Sequence, residues 1–512
     1  MAETLTLSSR SGRLTLVVCI LASGTGFLMG SAVTIALPTI QTTLDTSLSG
    51  VQWVVNAYSL MLGSLILVSG ALGDIYGVRR VFNTGLLIFA AASLVAGAVP
   101  SLTLLIVLRG VQGIGAALMV PGSLAIINNA FAQEERGRVI GLWAGISGAI
   151  AALGPFIGGF LAEISWRLVF VAMAPFGFAA FAFSRAVIPR VSSATKRTLD
   201  VPGAAMILLA LLGIATTLIR LPEASWDALN VAGLAGGVAL LALFTLWNAR
   251  RESPLVPAAM FTRQVTGANI ATLLIYFTFS AVLFLLSFLF QQYLDMRPPI
   301  AGLAVLPITV IIAVLSGPSG RMTDRFGPRG QMIAGPAVIA AASAWFLWHA
   351  GSTRYLAHYL PGIILQGIGI VLIIPSITTS ALNVPPRFSG TASGVNNALA
   401  RIAGLLAVAA AGSALVFGFA TSLEEGLSEL DLTEQERAAL LEESDKLLNL
   451  DSPDSLTARQ GERVAAAARS AFVAGVRVAF TITLVLSVAT ILVTALTIPR
   501  RPPTLSIGDD VA

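Results

Sequence analysis

The chain is 512 residues long, 56% hydrophobic and only 11% charged, with 48 glycines and a mean hydropathy of +0.85. Soluble proteins carry about 25% charged residues and their cores stop growing near about 250–300 residues, so this composition excludes a soluble fold and requires a polytopic membrane protein. The formal charge of +5 comes from arginines scattered between apolar runs, which argues against nucleic acid as a partner, while the single Cys19 and only two histidines, His349 and His358, give no intramolecular disulfide and no metal cage.

Apolar runs of about 20 residues, enough to cross a bilayer, predict fourteen helices. They lie near 14–37, 50–72, 81–99, 102–130, 138–162, 167–187, 201–219, 229–248, 268–292, 300–319, 331–350, 355–383, 392–420 and 470–498. The first follows Arg10 and Arg13 as a signal peptide would, but its apolar run is too long for one, and it reads as a retained helix. With the N-terminus inside, the inner segments hold Arg79, Arg80, Arg136, Arg138, Arg185, Arg190, Lys196, Arg197, Arg250, Arg251, Arg263, Arg321, Arg325, Arg329, Arg387, Arg500 and Arg501. The outer turns of ordinary length hold only Arg167, Arg220, Arg297 and Arg354. This asymmetry predicts a cell-membrane protein with both termini cytoplasmic. The outer segment 421–469 carries twelve acids against five bases and is expected in water. Thr433 and Glu436 have capping-box spacing, and Leu440, Leu441, Leu447 and Leu448 share one helical face, so the expectation is a solvated hairpin of short amphipathic helices; a lid or partner site is the alternative.

An internal repeat organises the spans. Gly70, Asp74, Gly77 and Arg79, after the second predicted helix, recur as Gly320, Asp324, Gly327 and Arg329, each displaced by 250 residues. Gln112-Gly-Ile-Gly115 with Pro121 recurs as Gln366-Gly-Ile-Gly369 with Pro375, displaced by 254. Fixed-offset self-similarity marks repeated architecture, so the chain reads as two six-helix bundles, 1–190 and 267–512, separated by a two-helix insert at 191–266. Parallel halves around a midplane cavity are a transporter architecture in which one site is exposed alternately to each side.

Individual residues admit both a functional and a plain role. Asp74 and Asp324, with Gly70, Gly73, Gly77, Arg79 and Arg80 and with Gly320, Gly327 and Arg329, suit a conformational latch: the glycines permit tight turns and the carboxylate can meet a helix N-terminus or an arginine. A solvated turn is the plain alternative. Arg109 lies inside an apolar run where a charge is costly, and its repeat partner is Ile363, so arginine serves something other than the shared fold; snorkelling toward the headgroups is the alternative. Arg401 is similar but expected nearer the cytoplasmic end. Gly154, Pro155, Gly158 and Gly159 allow a bend and close packing. Gln52, Asn56, Gln112, Asn396 and Asn397 suit either a polar cavity or interhelical hydrogen bonds, and Trp53, Tyr58, Tyr276 and Phe290 either ligand stacking or interfacial anchoring. No helix interior offers a carboxylate pair, a histidine cluster or a Ser/His/Asp set, so the chain is not expected to be an enzyme or to hold a cofactor.

These residues resemble the major facilitator superfamily, in its fourteen-helix drug:proton antiporter branch, over nearly the whole chain. The segment from Gly70 to Arg80 is similar to the family's signature loop, Arg109-Gly-Val-Gln112-Gly113 to its proton-coupling motif, and Gly154-Pro155 with Gly158-Gly159 to its antiporter motif. Asp200-Val-Pro-Gly203, Gly390-Thr-Ala-Ser-Gly394 with Asn397 and Arg401, and the long outer loop also fit this branch. The resemblance implies export of small amphipathic compounds by alternating access, with protons as the coupling ion. Three features depart from the pattern: Met29 stands where the branch usually has an aspartate, Ile150 where it has a further glycine, and Ile75 and Val78 where the signature loop has a basic residue. No acid lies near the midplane of any predicted helix, so the cavity is expected to be neutral to positive and to favour anionic, zwitterionic or neutral amphiphiles over quaternary ammonium compounds. Asp45, Glu163, Asp227 or Asp295, near the outer ends, could restore a negative site by folding inward. The alternatives are a carrier of anionic or neutral metabolites without proton coupling and a non-transporting membrane sensor.

Overall fold

Seventeen α-helices follow one another in the computed structural model, which describes residues 5–188, 200–224, 227–251, 254–385, 388–450, 453 and 455–500. The predicted inner charges Arg190, Lys196, Arg197, Arg387 and Arg501, and the hairpin acids Asp451 and Asp454, lie outside these residues. The helices are α1 Arg10–Thr43, α2 Leu48–Tyr76, α3 Val78–Ala96, α4 Leu102–Ala130, α5 Gln133–Ala152, α6 Gly154–Ile164, α7 Trp166–Val171, α8 Ala174–Val187, α9 Val201–Ala224, α10 Ala228–Ala249, α11 Arg263–Phe288, α12 Pro298–Phe326, α13 Pro328–His349, α14 Leu360–Ala381, α15 Ser389–Ser428, α16 Glu434–Glu442 and α17 Ala458–Thr497. With α5–α6 and α7–α8 each continuing one span, thirteen segments are long and apolar enough to cross a membrane; α2, bent by 55° between Ile66 and Val68, makes a fourteenth. The chain is therefore a multi-pass membrane protein of all-α architecture.

Local chemistry sets the helix ends. Ser9, Ser47, Ser101, Asp227 and Thr262 each accept a backbone N–H of the turn they open, satisfying donors that a helix start leaves bare. The tight turns after α2 and α12 fall on Gly77 and Gly327, with φ of 91° and 79°, a region open to glycine and costly for other residues. These two glycines are repeat partners, and they are the described glycines with positive φ.

The helices α1–α8 and α11–α17 meet most intimately at one end of the bundle, here termed the hairpin end because the acidic segment lies there. Proline explains part of this seam. Pro38 cannot donate to Thr34 O, and that carbonyl instead accepts Ser287 Oγ of α11 at 2.8 Å, while Ile35 O accepts Gln291 Nε2 at 2.7 Å. Gln52 Nε2 of α2 donates to Val408 O and Ala409 O of α15 at 2.6 and 3.1 Å. On the third flank, Gly159 of α6 lies against the backbone of Pro298, and Gly302 of α12 against that of Pro155, with Glu163 and Arg297 paired at the rim. At the far side of the Leu153 break the contact thins, and Gly141, Gly145 and Gly148 of α5 and Gly320 of α12 have no atom within 4 Å of where a side chain would start. The contact between the halves is thus densest at the hairpin end and sparser toward the end that carries the repeated loops, here the loop end.

The insert packs as a helix pair along the α2–α15 seam. Gly213 and Gly237 let α9 and α10 approach to backbone contact, and Leu211 and Ala215 of α9 pack with Leu60 and Leu405. Asp200 caps α9 through Gly203 N at 3.1 Å and accepts Trp247 Nε1 of α10 at 3.0 Å, tying the pair at its loop end.

The acidic segment differs from the solvated hairpin expected of it. α15 runs on to Ser428 and α17 begins at Ala458, so only 429–457 leaves the long helices. The capping box of Thr433 and Glu436 is formed, with Glu436 N donating to Thr433 Oγ1 at 3.2 Å and Thr433 N to Glu436 Oε2 at 2.9 Å. Leu440 and Leu447 are fully buried in the main apolar cluster, and Leu441 and Leu448 pack against it. Burying a leucine is worth about 1.5–3 kcal/mol, enough to hold the acidic segment down. Lys446 then reaches Asp45, after α1, at 3.1 Å and Glu443 at 3.0 Å, so the segment touches both halves.

Candidate functional site

Arg109 is fully buried in the first half, between α2, α4 and α7. Its Nε donates to Val54 O at 2.8 Å and its Nη1 to Gln112 Oε1 at 3.1 Å; Gln112 Nε2 in turn donates to Ser93 Oγ at 2.7 Å. The guanidinium lies 4.4 Å from the ring centroid of Tyr58 and 5.8 Å from that of Phe170. Its Nη2 finds no acceptor and no carboxylate is within reach among the described residues. A buried cation without a carboxylate is tolerable here because two of its donor groups are bonded and an aromatic face lies over it. This arrangement corrects one expectation: Arg109 does not line an open cavity in this conformation, and neither do Gln112, Asn56 or Met29, each of them buried. Both polar side-chain atoms of Asn56 lack a partner.

Arg401 is placed differently. Its guanidinium sits over the ring of Phe27, 4.9 Å from the centroid, its Cβ faces Gly63, and Tyr58 and Tyr276 lie nearby. Phe27, Gly63 and Tyr276 occupy the midpoints of α1, α2 and α11, so Arg401 is at mid-depth between the halves, not nearer the loop end as its sequence position suggested. Within α15 it is the thirteenth of 40 residues, because α15, like α17, runs on into the hairpin end. Phe27, Tyr276 and Arg401 are half-buried, and Gly30 of α1 has nothing within 4 Å of where a side chain would start. Asn397, one turn before Arg401, is exposed and bonds only its own helix, at Ser393 O, 3.0 Å away.

The other polar candidates divide. Asn396 joins α15 to α11 through Thr272 Oγ1 at 2.7 Å and Asn269 Oδ1 at 3.3 Å, and Gln52 and Gln112 are likewise interhelical. Of the aromatic candidates, Phe290 is buried against Tyr355 and Tyr359 within the second half, and Tyr58 is buried on Arg109 with its hydroxyl on Gly26 O at 2.8 Å. Trp53 is half-buried near the hairpin end and Tyr276 half-buried at mid-depth.

The repeated loops anchor their own halves. Arg79 donates to Arg185 O at the end of α8, and Arg329 to Ala495 O and Ile498 O at the end of α17, each neutralising the carbonyls of the last helix of its half. Asp74 is half-buried and Asp324 exposed, as is Arg80. In the bend of the fifth span, Pro155 cannot donate to Ala151 O, and Ser31 Oγ of α1 takes that carbonyl at 2.8 Å. A side chain on Gly154 or Gly158 would collide with α1 at Ser31 or Ala32. Ile150, the departure from the motif, packs into the space left by Gly24 of α1. Sequence reasoning missed Ser31 and Ser287, although a proline identifies the carbonyl each one serves.

These features carry across to known proteins. The sequence pattern described as Major Facilitator Superfamily matches residues 18–408. The chain belongs to the major facilitator superfamily. It is a transporter, not an enzyme. It is 30% identical over 475 residues to the tetracenomycin C resistance and export protein of Streptomyces glaucescens, covering 90% of this chain and 88% of that one. It is 36% identical over 405 residues to the puromycin resistance protein of Streptomyces alboniger, covering 77% and 80%. With the multidrug resistance protein Stp of Mycobacterium tuberculosis it shares 29% over 422 residues, covering 81% and 78%. Among solved structures, a bacterial homologue of the human lysosomal transporter Spinster, inward-facing and unoccupied, superposes with a TM-score of 0.66 at 13% identity, covering 96% of this chain and 99% of that one. A point mutant of the nucleoside transporter NupG gives 0.59 at 12% identity, covering 95% and 100%. At these identities the structures establish the shared fold.

Proposed function

We propose that this transporter exports small amphipathic compounds across the cytoplasmic membrane by alternating access, with both termini in the cytoplasm. The observation that carries the reading is the joint one of relatives whose names denote antibiotic resistance or export and of cross-half contacts that are dense at the hairpin end and sparse toward the loop end, as an opening there would leave them. The arginine asymmetry assigns that open end to the cytoplasm, so the conformation is inward-facing, with the seam of Ser287, Gln291 and Gln52 as the closed outer gate. Small molecules enter between the halves at the depth of Phe27, Tyr276 and Arg401. The anchored loops act as latches when the halves come together at the loop end, Asp74 and Asp324 being their repeated carboxylates. Asp74→Asn should slow turnover while leaving substrate affinity within about twofold; a large loss of affinity at normal turnover counts against the latch.

Proton coupling must operate without a mid-depth carboxylate, because Met29 replaces the usual acid and the described spans place none beside Arg109 or Arg401. Efflux from proteoliposomes of the purified chain, with and without an imposed pH gradient, tests both parts. Flux that ignores the gradient supports uncoupled carriage of anionic or neutral compounds, and no flux of any tested amphiphile favours a sensor.

A further inference from the structure

Arg401 is the one mid-depth cation whose guanidinium the described protein leaves without a hydrogen-bond acceptor or a carboxylate. Arg109 spends two donor groups on Val54 O and Gln112, whereas Arg401 has the face of Phe27. A guanidinium carries five N–H donors in a planar fork that matches a carboxylate or a similar anion. Placed at mid-depth between apolar helices, such a charge is stabilised when an anion enters beside it. No acid is available at this depth on the helices that surround it. α1 and α11 contain none, the acid of α2 is Asp74 near its loop end, and within α15 the first acids are Glu424 and Glu425, far along the helix toward the hairpin end. The surroundings are instead aromatic and small. Phe27 of the first half stacks on one side, Tyr276 stands on the same half as Arg401, and Gly30, Gly63 and Gly404 keep side-chain bulk away, with Gly30 fronting open space.

We propose that Arg401 is the recognition residue for an acidic group on the transported compound, so that the substrate class is planar aromatic amphiphiles bearing a carboxylate or an ionised phenol. The inference rests on the export reading and deepens it. The anionic group pairs with the guanidinium fork, and the ring system lies between Phe27 and Tyr276. Because Phe27 belongs to the first half and Arg401 with Tyr276 to the second, a bound compound touches both halves, and its site is intact in either facing state only if the halves pivot about this depth. The buried Arg109 shares the ring of Tyr58 with this site but does not contact the compound.

The test separates binding from flux. Equilibrium dialysis of the purified full chain uses fluorescein as the anionic probe and ethidium as the cationic one. Wild type should bind fluorescein more tightly than ethidium, Arg401→Gln should weaken fluorescein binding by about tenfold or more while improving ethidium binding, and Arg401→Lys should lose less than Arg401→Gln. Unchanged fluorescein affinity in a folded Arg401→Gln protein overturns the proposal, as does failure of wild type to bind fluorescein. If Arg401→Gln does not fold, the preference of wild type decides, and tighter binding of ethidium overturns the proposal. Flux in proteoliposomes then judges the export reading alone: fluorescein bound through Arg401 but not moved leaves the site in place and defeats export, whereas ethidium moved at equal rates by wild type and Arg401→Gln keeps export and defeats the site.

Discussion

The fourth span of each half can be compared residue by residue. In both halves a glycine pair lets it cross its neighbour at backbone contact: Gly85 with Gly115 in the first, and Gly335 with Gly369 in the second, each a repeat partner of the other. The polar residues at the same register behave differently. Gln112 is bonded by Arg109 and donates to Ser93, whereas its partner Gln366 is fully buried with neither side-chain atom bonded, and Ser343, the counterpart of Ser93, instead accepts Thr483 Oγ1 of α17 at 3.0 Å. Ile363 stands where Arg109 would be. The repeat has kept what sets helix geometry and has let the polar network diverge, so the first half carries a buried charge and the second an unspent amide.

The largest expected effect tests the shared part. A side chain on Gly115 would lie 2.6 Å from the backbone nitrogen of Phe89, and one on Gly369 at 2.8 Å from Gly335 O. Gly115→Leu and Gly369→Leu should both abolish recovery of folded protein, seen as loss of the monodisperse peak in gel filtration; a tolerated change in only one half would break the symmetry. Next, Ile363→Arg should cost about 3–5 kcal/mol, since a buried cation there meets no preformed acceptor network, and thermal unfolding in detergent reads it. A smaller contrast sharpens the divergence: Gln112→Leu should destabilise by about 1–3 kcal/mol, while Gln366→Leu should be neutral or stabilising because it removes an amide that has no partner. Equal losses would mean that Gln366 has a partner when the halves rearrange.

The smallest effect concerns a second asymmetry, since Ser165 alone separates α6 from α7 where the second half inserts 429–457. The hydroxyl of Ser455, then the backbone N–H and hydroxyl of Thr433, hold the exposed Glu436 carboxyl below its ordinary value. A carboxyl depressed in the folded state stabilises above its unfolded value and loses that contribution as pH falls through the folded one. Cleavage within 429–457 by pepsin, which is active in acid, should therefore speed up on acidification at the low-pH side of the carboxylate range, and Glu436→Gln should remove the pH step.

Spans, repeat and loops were legible because each depends on short-range pattern: twenty apolar residues for a span, and glycine with aspartate at fixed spacing for a turn. The rest depended on partners distant in sequence. Nothing local in Gln112 and Gln366 reveals that one is bonded and the other bare. The depth of Arg401 follows from the helices it packs against, at Phe27 and Gly63, and nothing in its own apolar run registers those neighbours. The leucines of 429–457 were correctly read as one apolar group, but an acidic segment hides whether that group faces water or the core. Ser31 and Ser287 were recoverable in principle, since each proline names by its position the carbonyl that needs a donor.

That last point bears on how the hairpin end responds to its surroundings. Thr34 O and Ile35 O are backbone acceptors with no proton to gain or lose and no net charge to screen. The rim above them is held by ions, Arg297 with Glu163 and Lys446 with Asp45. Raising ionic strength to about 1 M shortens the screening length to about 3 Å and loosens the rim, yet leaves the bonds at the proline untouched. The closure at the hairpin end is thus layered, with a salt-sensitive lip over a seal that is indifferent to salt and pH, and high salt would leave the seal after loosening the lip.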